Sequence, residues 1–179
     1  MNKRGDIWIS AVIYIALGII AISLILGAGL PLINNVRDRN TFQQTKEIMN
    51  AIDSSITSVV AEGPGSRRYL SPVTIKKGEL FFKKDATNEI VWLMETSSIL
   101  QEPGSTISEG SLKVKFEEHD LIVGLYEGSL IYDYYNARKI NLVVSDEDRQ
   151  PLSGKYSISI TNIGYEPGSD FVDVEIVVE

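Results

Sequence analysis

The chain reads as an α+β protein: a long N-terminal helix, apolar in its first half and amphipathic in its second, followed by an antiparallel β-sandwich-like domain. Two observations lead there. No charged residue occurs from Ile7 to Ile33, whereas a helix needs only about 20 apolar residues to cross a hydrocarbon core. Beyond residue 65 the apolar period drops to near two, with turn residues at short intervals, the mark of antiparallel strands.

At 179 residues the chain has room for one ordinary domain and a membrane segment. Hydrophobic residues make up 44% and charged residues 23%, an average that conceals an apolar N-terminus and a more polar remainder. Of the 17 basic residues only Lys3 and Arg4 precede the apolar run, and of the 24 acids only Asp6. The rest of the chain is therefore more acidic than the net −7 of the whole, which disfavours a nucleic-acid partner. The absence of cysteine rules out disulfides, thiolate metal ligands and cysteine nucleophiles.

The apolar run is too long for a secretory signal peptide, whose hydrophobic region spans about 7 to 15 residues. A retained helix is expected even though Ala28 and Gly29 mimic a cleavage site. The positive-inside rule places the N-terminus inside and the C-terminal domain outside, because Lys3 and Arg4 flank the start. Trp8 and Tyr14 suit an interfacial position near that start. Gly18, Ser23 and Gly27 thin the helix surface and permit close approach of another helix.

Gly27, Gly29 and Pro31 together predict a break at 27–31, since glycine weakens a helix and proline removes a hydrogen bond and crowds the preceding turn. Past it, Ile48, Ile52, Ile56 and Val59 or Val60 recur at helical spacing, with Met49 adjoining. One interrupted helix from Asp6 to Glu62 would measure about 85 Å, far more than a bilayer. Its upper half must cover its apolar stripe with the following domain or with another copy. Gly63, Pro64 and Gly65 stop it.

The expected strands are Arg67 to Ile75, Glu79 to Lys84, Glu89 to Thr96, Ser111 to Phe116, Leu121 to Tyr126, Ser129 to Tyr135, Ile140 to Val144, Lys155 to Asn162 and Phe171 to Val178. Pro72 makes the first of these an edge strand or marks a bulge, because it cannot donate to a ladder.

Candidate chemistry is sparse. Glu117, Glu118, His119 and Asp120 form the densest polar cluster, but consecutive residues in a turn do not converge on one ion. Asp146, Glu147 and Asp148 lack the order of a calcium loop. Arg67 and Arg68 read as solvated residues at a strand start. Tyr126, Tyr132, Tyr134 and Tyr135 suit either an adhesive surface or plain strand propensity. No nucleophile elbow, P-loop, dinucleotide fingerprint or zinc-protease motif occurs, so no enzyme and no cofactor is expected.

Lys3, Arg4 and Gly5 directly before the apolar run resemble the cleavage signal, or class III signal peptide, of archaeal type IV pilins and archaellins. The resemblance covers sequence from residue 3 to about 33, and layout throughout. It implies a leader of residues 1–5, removed by a prepilin peptidase that cuts between Gly5 and Asp6. It implies an N-terminal membrane and assembly helix over 6–62, and an extracytoplasmic β-domain over 66–179. In such a family the membrane is a stage before assembly, and the partners are other copies of the chain or related pilins. The implied product is an extracellular filament serving adhesion or as a surface appendage. Bacterial relatives carry a glutamate at the fifth mature position, where this chain has Ser10, so that contact does not carry over. The alternative is an unprocessed single-pass anchor presenting the same domain to a partner, with a minor pilin between the two.

Overall fold

The computed structural model describes residues 3–82, 87–145, 150–165 and 167–179. It contains one long helix, α1 (Lys3–Glu62), then β1 (Arg67–Phe82), β2 (Glu89–Thr96), β3 (Ser105–Glu109), β4 (Leu112–Glu118), β5 (Tyr126–Asp133), the single-turn α2 (Tyr135–Arg138), β6 (Ile140–Val144), β7 (Leu152–Tyr165) and β8 (Val172–Val178). The architecture is α+β. The chain divides into two compact units, Met1–Arg37 and Asp38–Glu179.

No melted stretch occurs at 27–31, for α1 remains helical through Gly27, Gly29 and Pro31. Proline crowds the carbonyl one turn back, and here that residue is Gly27, whose backbone carries no Cβ to resist a small adjustment.

Within the second unit, α1 buries a stripe formed by Asp38, Phe42, Thr45, Met49, Ile52, Ile56 and Val59. Alternating spacings of four and three keep these residues on one face. Ile48 and Val60 flank the stripe, half-buried. Gly63 ends the helix in a left-handed conformation (φ 95°). The Val59 carbonyl, which would otherwise be orphaned there, accepts hydrogen bonds from the Gly63 N–H, the Ser66 hydroxyl and the Asn162 side-chain amide.

All eight strands join in one sheet, ordered β3-β4-β5-β2-β1-β7-β8-β6. This refines the sandwich-like expectation: no second sheet forms among the described residues, and the inner face packs on the helix instead. Trp92, Phe82, Leu80, Ile90, Leu130 and Ile160 fill that core alongside the α1 stripe. One pair departs from antiparallel order, since β6 runs parallel to β8.

The first two expected strands are a single β1, paired to β2 on one side and to β7 on the other. Pro72 is therefore not on an edge. It falls in a register shift between Leu70 and Val73, the bulge that a residue without an N–H requires. A second shift lies between Ile75 and Leu80 and contains Gly78 at φ 82°. A Cβ on Gly78 would stand 2.3 Å from the Leu93 carbonyl oxygen, so backbone meets backbone here and only glycine fits.

Two other expectations change. Leu121 to Tyr126 is a loop up to β5, because β4 and β5 finish pairing at Glu118 and Tyr126. Ser105 to Glu109, not expected as a strand, adds β3 at the sheet edge.

Candidate functional site

The first unit presents an apolar surface with nothing of its own to cover it. Apart from half-buried Gly29, every residue from Ser10 to Arg37 is exposed, and no charge interrupts the surface before Arg37. Large apolar side chains point in all directions around the axis, including Trp8, Ile13, Tyr14, Leu17, Leu24 and Ile25. A helix apolar on every side belongs in lipid or in a bundle of like helices, and this one is long and apolar enough to cross a membrane. Each leucine or isoleucine contributes about 0.3 to 0.6 kcal/mol to insertion. Such a helix is compatible with membrane anchoring.

Gly18, Gly27 and Gly29 have no heavy atom within 4 Å of a built Cβ, and Ser23 is exposed. These positions are open to a partner. Lys3, Arg4, Gly5 and Asp6 lie in the first turns of α1.

The second unit holds its part of α1 through two polar clamps beside the apolar stripe. At its start, the Asp38 carboxylate receives hydrogen bonds from the Lys77 ammonium at 2.7 Å and the Thr96 hydroxyl at 2.6 Å. Burial pushes the Asp38 carboxyl up, but these hydrogen bonds and the Lys77 charge outweigh it and hold the group below its ordinary value. Farther along, Asp53 accepts from Arg138 at 2.5 and 3.3 Å and from the Tyr134 hydroxyl at 2.9 Å. Arg138 also donates to Thr57 and Ser111, while the Tyr132 hydroxyl donates to Asn50. Burial first, then the Asp53 charge, pushes both the Tyr132 and Tyr134 hydroxyls up, so both stay protonated as donors. Lys46 pairs with Glu109, and Arg68 with Glu62.

Sequence reasoning missed these clamps. Asp38 and Asp53 carry no local signature, and Arg138 lies 85 residues from Asp53. The tyrosine cluster resolves mostly toward the interior: Tyr132 and Tyr134 bond the helix, Tyr126 stacks on Phe116, and Tyr135 stays exposed beside Phe171. Arg67 and Arg68 are engaged rather than merely solvated, Arg67 donating to the buried Ser159 hydroxyl.

Glu117 and Glu118 end β4, and His119 opens the loop that follows. The His119 N–H donates to the Leu125 carbonyl, and its ring Nδ1 accepts from the Leu121 N–H at 3.2 Å. The histidine shapes the turn. Leu121, Ile122 and Val123 at its tip are 88%, 53% and 104% exposed. Among the described residues no group of histidines and carboxylates is placed to hold a metal ion. Asp146, Glu147 and Asp148 lie outside the described residues.

No protein family, no curated protein and no solved structure matches this chain.

Proposed function

We propose that the chain is a pilin-like structural subunit, cleaved after Gly5 and polymerised through its apolar N-terminal helix into an extracellular filament. One observation carries the reading: from Ser10 to Arg37 α1 is uncovered, and up to Ile33 it is apolar on all sides, while from Asp38 onward the same helix is the core of a self-contained β-domain. A purely soluble protein would leave that surface exposed at heavy cost. A lone membrane anchor needs only about 20 residues of it and has no need of Gly18, Ser23 and Gly27 as thin positions.

Before assembly the helix sits in the membrane with the N-terminus inside and the β-domain outside. Removing residues 1–5 leaves Asp6 at the helix N-terminus, where a carboxylate is favoured by about 0.3 to 1 kcal/mol. Its partners are then copies of itself or related pilins. The compactness of Asp38–Glu179 also fits the second reading, an unprocessed anchor that presents a binding domain.

Intact mass spectrometry on the protein from its native host separates the two. A mature chain beginning at Asp6, together with filaments in the sheared surface fraction, is the expected result. A chain that keeps Met1 and stays in the membrane refutes the filament reading.

A further inference from the structure

The loop tip at Leu121 to Val123 is the most exposed apolar feature of the β-domain, and its position in the fold restricts what can cover it. The hydrogen bond from the His119 N–H to the Leu125 carbonyl closes the loop at its base. Glu118 pairs with Tyr126 across β4 and β5, and Tyr126 pairs with Thr96 across β5 and β2. Thr96 in turn donates to Asp38. The tip therefore stands at the end of the sheet where the chain enters the domain. Only Asn34 to Arg37 separate Ile33 from Asp38, a tether of at most about 18 Å even when fully extended. In a membrane or a bundle of parallel copies, Asp38 of every chain lies within that tether of the end of its own apolar run.

Charge distinguishes between lipid and a neighbouring copy. The tip is flanked by Glu117, Glu118 and Asp120, all exposed, and it carries no basic or aromatic residue of the kind that suits a lipid headgroup layer. Glu118 and Asp120 form none of the ion pairs among the described residues, nor do Arg37 and Arg39. Those two arginines follow directly on the exposed Leu32, Ile33 and Val36. An apolar tip with acidic flanks thus matches an apolar helix end with basic residues.

Resting on the filament reading, we propose that the Leu121 to Val123 tip of one copy packs on the Leu32 to Arg39 segment of a neighbouring copy, with Glu118 and Asp120 set against Arg37 and Arg39. The contact would cover apolar surface that each copy leaves open and would set the spacing between β-domains.

The chain has no cysteine, so introduced thiols report without background. Cells of the native host would co-express one copy carrying Val123→Cys and another carrying Val36→Cys, and the mixed disulfide would be quantified by peptide mass spectrometry. Tyr165→Cys, exposed and next in sequence to Gly164, which lies beside Pro64 at the far end of the domain, replaces Val123→Cys as the control. A separate Ile25→Cys strain reports helix-to-helix contact. The expected result is a mixed disulfide between positions 123 and 36 well above the control, reduced about fivefold by Glu118→Lys, since exposed ion pairs are worth about that factor, and restored by Arg39→Glu in the partner copy. Helix-to-helix disulfides without the 123 to 36 disulfide overturn this contact while leaving the filament standing. Absence of both, with no filaments in the sheared fraction, overturns the filament reading and this contact with it.

Discussion

Ile56 and Ile25 occupy the same helix and are chemically identical, yet opposite outcomes are expected when each is cut to alanine. Ile56 is 0% exposed within the second unit, and Ile25 is 70% exposed within the first. Ile56→Ala removes the γ and δ carbons from the core, a loss of about 2.4 kcal/mol at roughly 0.8 kcal/mol per carbon. The cavity left behind adds to this, and such truncations cost about 2 to 5 kcal/mol in all. The assay is urea unfolding of the full chain in detergent micelles, followed by the fluorescence of Trp92 in a Trp8→Phe background. Trp92 is fully buried, with its ring edge-on to Phe42 at 5.7 Å, so its emission reports the packing of helix on sheet. With a urea dependence of about 2 kcal/mol per molar, Ile56→Ala should lower the midpoint by about 1 to 2.5 M. Ile25→Ala should change domain stability by less than about 0.5 kcal/mol, as an exposed substitution does. Equal midpoint shifts for the two variants, or a loss below about 1 kcal/mol for Ile56→Ala, would refute the division of α1 at Asp38.

Asp38→Asn should flatten the acid side of the stability curve. The folded carboxyl lies below its ordinary value of 3.8, so its contribution is full above that value and is lost as pH falls through it toward the folded value. Thermal melts from neutral pH down to pH 3 check this, and identical slopes for the variant and the parent would count against the clamp. Gly78→Ala places a Cβ 2.3 Å from the Leu93 carbonyl oxygen at φ 82° and should lower Tm by at least about 5 °C, given a backbone strain of about 2 kcal/mol. An unchanged Tm would show that the bulge relaxes freely. Arg138→Met should destabilise by about 2 kcal/mol, because it strips a charged partner from the mostly buried Asp53. A double-mutant cycle with Asp53→Asn should return a coupling of about 1 kcal/mol; zero coupling would make the pair incidental.

Much of the layout was legible because its signals are local. The uncharged run from Ile7 to Ile33 is read from composition. The helix end at Gly63 follows from backbone chemistry, and the strand at Ile140 to Val144 from period-two alternation, reproduced residue for residue. Errors arose where local preference met a distant partner. Leu121 to Tyr126 has the apolar content of a strand, but pairing stops at Glu118, and Leu121 to Val123 are left in solvent. Gly27, Gly29 and Pro31 each disfavour helix, yet the ladder on both sides carries the helix through.

From sequence alone came a long apolar helix, the basic residues before it, its stop, and a β-rich remainder, because these depend on neighbours within a few positions. Only the tertiary structure decided where along α1 the covering begins, that one sheet does the covering, and which polar groups clamp it. Those outcomes depend on pairs such as Asp53 with Arg138 and Asp38 with Thr96, 85 and 58 residues apart, and separations of that size leave no periodic trace in the chain.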